Sequence, residues 1–103
     1  MNKQQPLTES NFYIMLALRK PNHGYGIIQE VQTLTDNRII MGAGTLYGAI
    51  QSLEQKRWIK MYSEEETSRK KKEYILTDLG REVFMNEVDR LAELLEHSKL
   101  IDE

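Results

Sequence analysis

Gly42-Ala43-Gly44-Thr45-Leu46-Tyr47-Gly48-Ala49-Ile50-Gln51-Ser52-Leu53-Glu54-Gln55-Lys56 is the stretch whose reading decides the fold of this chain. Leu46, Ala49, Ile50 and Leu53 recur at helical spacing and form one apolar stripe on a helix of about three turns. The opposite side of that helix carries Gly44, Tyr47, Gly48, Gln51, Ser52 and Gln55. This outer face is small, uncharged and rich in hydrogen-bonding groups, where a helix that needs only solubility usually carries Lys and Glu. Gly48 falls inside the helix, where glycine costs ~1 kcal/mol against alanine. The choice makes sense if the backbone of another molecule must come very close. DNA in its major groove is such a partner, and glutamine reads adenine through paired hydrogen bonds. An ordinary amphipathic helix after a glycine-rich turn fits the same residues, so this stretch alone leaves both readings open.

Composition narrows the classes. The 103 residues suffice for one domain with a modest core, and 40% hydrophobic with 29% charged residues suits a globular chain. Cysteine is absent, which excludes disulfides and thiolate metal sites. His23 and His97 are too few and too distant in sequence to suggest a metal centre, and no cofactor is expected. The longest apolar run, Phe12 to Leu18, is too short to span a bilayer. The N-terminus lacks the apolar core of a secretory signal, so no membrane association and a cytoplasmic location are expected. The serines sit in no nucleophile elbow and no phosphate-cradling glycine loop is present, so an enzyme is not expected. The formal net charge of −2 argues mildly against a nucleic-acid partner, but it conceals a local patch. Arg69, Lys70, Lys71 and Lys72 are consecutive, and the acidic run Glu64 to Glu66 sits just before them.

Taken in order, Thr8 caps a first helix running to about Lys20, where Pro21 stops it. Its middle, Phe12-Tyr13-Ile14-Met15-Leu16-Ala17-Leu18, is apolar on nearly every side. Such a helix is covered all round, by its own domain or by a second subunit. A turn at Pro21 to Gly26 leads into a second helix with Ile27, Ile28, Val31 and Leu34 on its apolar face, ended by Asp36-Asn37. Arg38 to Met41 reads as a brief β-type run. After the third helix, Trp58 to Tyr62 and Lys72 to Leu76 read as the two strands of a hairpin with a polar tip between them. Thr77 or Asp78 then caps a long last helix, on which Phe84, Val88, Leu91 and Leu95 repeat at four, three and four. The result is mainly α with a small β-hairpin: a winged helix-turn-helix over residues 1–78 and a C-terminal dimerisation helix over 79–103. In that architecture the third helix enters the major groove and the hairpin tip, here bearing Arg69 to Lys72, meets the neighbouring phosphates.

Several segments together resemble the PadR family of bacterial transcriptional regulators. Leu7-Thr8-Glu9 with the apolar helix resembles the family's opening. Pro21-Asn22-His23-Gly24-Tyr25-Gly26-Ile27 is similar to its His-Gly-Tyr-Gly signature, and Gly42-Ala43-Gly44-Thr45-Leu46-Tyr47-Gly48 to its Gly-Pro-Gly-Thr-Leu-Tyr-Gly signature. Arg69 to Gly80 resembles the basic wing and the Tyr-x-Leu-Thr-x-x-Gly that opens the last helix. The match runs over roughly residues 7 to 95, and the single C-terminal helix looks like the short subfamily, which dimerises through that helix and helix one. The resemblance implies a homodimeric repressor on a palindromic operator, released by a small lipophilic effector. Two positions depart from the pattern. Ala43 replaces a usual proline. Arg57 stands where the family often has glycine, and since a left-handed helix end is costly for Arg, the exit of helix three is expected to differ.

The residues expected at the DNA are therefore His23, Tyr25, Gly44, Thr45, Tyr47, Gly48, Gln51, Ser52, Arg69, Lys70, Lys71 and Lys72. His23 caps helix two or meets a phosphate; Tyr25 donates to a phosphate or packs under the turn. Asn11, Phe12, Met15, Phe84, Val88, Leu91 and Leu95 are expected at the dimer centre. There Phe12, Met15, Val88 and Leu91 would line an apolar gap without charged groups, with Asn11 as its one polar contact. Trp58 is expected to pack in the core or at the dimer flank. The rival reading is a winged-helix module that binds protein rather than DNA through its apolar helices.

Overall fold

The computed structural model describes residues 5–64 and 72–103. Helix α1 spans Glu9–Ala17, and its N-cap Thr8 accepts a 3.1 Å hydrogen bond from the Asn11 amide. The helix ends three residues earlier than Pro21 alone suggests, where the Leu18 amide is shared between the Ile14 and Met15 carbonyls and the Arg19 amide turns back to Leu16 at 3.2 Å. A two-residue strand β1, Asn22–His23, precedes α2, Gly24–Leu34. Helix α2 closes without glycine. Asp36 and Asn37 take φ of 54° and 67°, and the Asn37 amide reaches the Gln32 carbonyl at 2.9 Å while Asp36 reaches Thr33 at 3.1 Å. These are the paired bonds of a Schellman turn. The run Arg38 to Met41, expected as a strand, is irregular. Its Ile39 amide donates to the Thr35 hydroxyl at 3.0 Å instead of joining a ladder.

Helix α3 follows at Ala43–Gln55, then β2 at Ile59–Glu64, β3 at Lys72–Leu76 and α4 at Asp78–Ser98, which runs into a 3₁₀ turn, Lys99–Asp102. The strands form one antiparallel sheet in the order β1-β3-β2. Asn22 and His23 pair with Tyr74 and Glu73, so the third strand comes from the turn before α2. A bulge between Met61 and Ser63 breaks the β2–β3 register. The sheet is tied to the helices by the Leu76 amide, which donates to the Leu18 carbonyl at 2.9 Å.

The core is where the four apolar patterns meet. Ile14, Met15, Ala17 and Leu18 of the first helix and its cap are buried with Ile27, Val31, Leu46, Ile50, Leu53, Ile59, Leu76 and Val83. Helix α1 is thus covered largely by its own chain. Helix α4 joins this core through its first half, where Gly80, Val83 and Glu87 are buried, whereas every residue from Leu91 onward is exposed. Gly80 is required by close approach: a Cβ there would collide with the backbone carbonyl of Trp58.

Candidate nucleic-acid interface

Burial sorts α3 into two faces, as its pattern predicts. Leu46, Ile50 and Leu53 are buried and Ala49 is half-buried, while Gly44, Thr45, Tyr47, Gly48, Gln51 and Gln55 are exposed and Ser52 half-buried. Gly44, Gly48, Gln51 and Gln55 follow one another at four, three and four, so they form a single outward stripe. Neither Gly44 nor Gly48 is constrained from within the chain, since a Cβ at either would meet nothing within 4 Å. The fold itself therefore does not call for glycine at these two positions.

Tyr47 is held differently. Its ring lies against Gly24, the first residue of α2, so closely that a Cβ on Gly24 would strike the phenol. The pairing of a glycine at one helix start with a tyrosine on the next helix sets how α2 and α3 cross. It leaves Tyr47 about half exposed beside the start of α2, where Tyr25 is also exposed. His23 acts as the N-cap of α2. Its Nδ1 accepts from the Gly26 amide at 3.2 Å, while its own amide donates to Asn22 Oδ1 at 2.9 Å. The capping alternative is thus realised, with the imidazole acting on the backbone of its own chain. Lys72 is exposed at the start of β3. Arg69, Lys70 and Lys71 lie outside the described residues.

The exit of α3 keeps the left-handed geometry despite Arg57. That residue takes φ 64°, the Trp58 amide reaches the Leu53 carbonyl at 3.1 Å and the Arg57 amide reaches Glu54 at 2.9 Å. The expected difference at this exit does not occur, because Schellman bonds and the surrounding chain outweigh a conformational cost of ~1–2 kcal/mol.

The expected dimer-face cluster is rearranged. Met15 is fully buried in the core and is not available to line a gap between subunits. Asn11 borders a cavity with Lys56 and Trp58. Phe12 and Phe84 do meet, with ring centroids 4.7 Å apart. A cavity of about 310 Å³ between α1 and α4 is lined by Phe12, Tyr13 and Leu91, but also by Glu87 and Arg90. It is therefore not free of charge. Arg90 Nε and Nη2 donate to the two carboxylate oxygens of Glu87 at 2.9 and 2.7 Å. Those bonds hold the buried Glu87 below the usual carboxylate range against the opposing pull of burial, helped by Arg90's charge and the Leu7 amide. The same pairing raises Arg90. Glu87 sits three residues after Phe84 and four before Leu91, on the apolar stripe itself, and that spacing was the signal that could have found it. At the rim, Glu9 is lowered by its two hydrogen bonds from Arg38, at 3.0 and 2.7 Å, which link α1 to the α2–α3 loop.

Comparison with known proteins bears on this arrangement. Residues 14–86 match the model of the family described as the transcriptional regulator PadR-like family. An uncharacterized protein of Lysinibacillus sphaericus is 34% identical over 84 residues, covering 81% of this chain and 77% of that protein. The crystal structure of a PadR family transcriptional regulator from Eggerthella lenta superposes with a TM-score of 0.74 at 25% identity, over 90% of this chain and 80% of that one. Bacillus subtilis PadR in complex with operator DNA superposes with a TM-score of 0.70 at 22% identity. That match takes in 82% of this chain and 48% of the Bacillus chain, so the present sequence aligns with about half of it.

Proposed function

Because the chain belongs to the PadR-like family of transcriptional regulators, we propose that it binds double-stranded DNA as a homodimer and represses transcription, each α3 reading one half of a palindromic operator. The observation that carries this reading is Gly48. It is exposed in mid-helix with open space where a Cβ would point, and it is flanked along one stripe by Gly44, Gln51 and Gln55. A residue that weakens its own helix by ~1 kcal/mol and fills no internal need fits a surface against which a second backbone must close. Gln51 is the base reader, Thr45, Ser52 and Tyr47 are its polar neighbours, and Tyr25 with the basic run Arg69 to Lys72 contacts phosphates. The likeness in fold to a regulator solved on operator DNA supports DNA as the partner.

Dimerisation is supported by the second half of α4, where Leu91, Leu94 and Leu95 are 41%, 50% and 68% exposed along an unpartnered stripe. Two-fold pairing through this segment would present two copies of α3 to half-sites about one helical turn apart. A lipophilic effector would act at the cavity beside Phe12 and Leu91, by favouring one spacing of the two α3 helices over another. A tenfold preference there shifts operator affinity by ~1.4 kcal/mol.

The test is a gel shift with the DNA upstream of the protein's own gene. Gln51→Ala should weaken operator binding by ~1–3 kcal/mol and relax one base position, with little effect on random DNA. Replacing Lys70 and Lys71 with Ala should weaken all duplexes alike and flatten the salt dependence. Operator affinity untouched by both changes would assign the DNA face elsewhere.

A further inference from the structure

We infer that the 3₁₀ turn after α4, Lys99–Asp102, is the lid of the α1–α4 cavity in a second copy of this chain, so that each cavity is completed by the partner subunit. The inference rests on the dimer reading above and adds to it a register and a residue. The cavity, about 310 Å³, lies beside Phe12, Tyr13 and Leu91, and Leu91 at its edge is 41% exposed. Its two lining carboxylates, Glu87 and Glu9, are matched by Arg90 and Arg38. A charged occupant would have to break one of these pairs, whereas an apolar side chain leaves both intact. The turn offers such a side chain, since Ile101 is 83% exposed.

The register follows from the stripe on α4. Phe84, Val88, Leu91, Leu95, Ser98 and Asp102 succeed one another in alternating steps of four and three residues. A helix pairing with a reversed copy of itself meets the same steps in the opposite order. It therefore stays in step only where Val88 meets Leu91, Leu91 meets Leu95, or Leu95 meets Ser98. The first choice also sets Phe84 against the partner subunit's Leu95, but the Phe84 ring is already packed on Phe12. The last sets Leu91 against the partner subunit's Asp102, a carboxylate on an apolar side chain. A parallel pair would bring Asp102 against its own copy. The middle choice places Leu91 on the partner subunit's Leu95, and the reverse, with Ser98 opposite Val88. It also brings the exposed Leu94 of both copies together on one flank, while the small Ala92 of both faces itself on the other and lets the helices close.

That register fixes what arrives at the cavity. Position 101 lies seven residues beyond position 94, and position 87 seven before it, so the flank that joins the two Leu94 copies carries the partner subunit's Ile101 to Glu87. Along the axis the two come within ~4 Å of the same height. Glu87 and Leu91 both line the cavity, and Ile101 of the partner subunit would cover its mouth, shielding the Glu87–Arg90 pair from water.

The chain has no cysteine, so introduced thiols report without background, and the full-length protein can be tested without DNA. Leu91→Cys and Leu95→Cys proteins, unfolded and refolded as an equimolar mixture, should on oxidation give several-fold more linked dimer than either variant alone. The thiol of Ile101→Cys should react with a soluble disulfide reagent several-fold more slowly than that of Glu93→Cys, on the opposite side of α4. Adding Leu95→Asp, which lies outside the cavity, should split the dimer in sedimentation and bring the two rates together. A chain that sediments as a monomer overturns the proposal together with the dimer reading. A dimer in which the mixture links no better than its components, or in which the thiol at position 101 reacts as fast as that at position 93, overturns the lid alone and leaves the cavity to another occupant.

Discussion

The hydroxyl of Thr77 donates a 2.7 Å hydrogen bond to the backbone carbonyl of Arg57 and accepts one of 2.9 Å from the Gly80 amide. One side chain thereby caps α4 and fastens the left-handed exit of α3 to it. Thr77→Ala should remove ~1 kcal/mol for the cap and about as much for the lost bond to Arg57, whereas Thr77→Ser should retain both. Arg57→Gly relieves the left-handed residue and should stabilise by ~1 kcal/mol. Thermal melts would show it as a rise of roughly 4–8 °C for a domain of this size. An unchanged or lowered midpoint would mean that the Arg57 side chain contributes packing that outweighs its backbone cost.

Two glycines should respond in opposite directions. Gly80→Ala drives a Cβ into the Trp58 carbonyl and should destabilise by ~1–3 kcal/mol, as overpacking against backbone does. Gly48→Ala meets open space and should stabilise α3 by ~1 kcal/mol. If α3 enters the major groove, the same Gly48→Ala change weakens operator binding while raising the melting temperature. Melts and fluorescence anisotropy on one preparation check both halves. A Gly48→Ala protein that is more stable and binds equally well would remove the argument from this glycine.

Glu87 gives a pH signature. Its side chain is 3% exposed and paired with Arg90, and those hydrogen bonds lower its pKa. A carboxylate depressed in the folded state contributes stability that is present above its unfolded value, about 4.3, and lost as pH falls through the folded value. Urea midpoints of the wild type should therefore exceed those of Glu87→Gln at pH 7. The two should converge as the pH is taken below the usual glutamate range. A gap that persists undiminished in acid would show that Glu87 acts through shape and not charge.

The exposed half of α4 predicts assembly. Leu91→Asp places a charge from each subunit on the proposed contact, where each leucine contributes ~1.5–3 kcal/mol when buried. Leu91 is 41% exposed in the single chain, so the substitution should spare the core. Sedimentation should show a shift from dimer to monomer, with helical content in circular dichroism largely kept. A dimer that persists with Leu91→Asp and Leu95→Asp together would place the interface elsewhere.

Much of the architecture was readable because it rests on periodicity and caps, which are local. The α3 stripe of Leu46, Ile50 and Leu53, the Thr8 and Thr77 caps and the paired strands around the wing tip all follow from neighbours a few residues apart. The strand at Asn22 and His23 was not readable, since two residues have no pattern and pair only because β3 lies alongside. The irregular run Arg38 to Met41 looked like a strand by composition, but its Ile39 amide is taken by the Thr35 hydroxyl. At the α1–α4 face, Phe12 and Leu91 border a cavity of the single chain together with Glu87 and Arg90, whereas the sequence led us to expect them at a charge-free gap between two subunits. Met15, expected beside them, is buried in the core, because a helix that is apolar all round does not declare which side its own chain will cover.

For this protein, then, the sequence by itself determined which segments are helices, which face of α3 is left without apolar or charged groups, and where the chain must turn. Those are consequences of side-chain spacing and capping chemistry that act within a few residues. Only the tertiary structure decided that Arg57 keeps a glycine-like conformation, that Tyr47 seats on Gly24, and that Glu87 is buried with Arg90. It also decided that Lys56 stands over Trp58 beside a cavity. Each of these depends on how separate elements pack, and packing free energy is shared among residues far apart in the chain. Such sharing lets a well-braced fold hold a strained backbone or a buried charge that no local rule would place there.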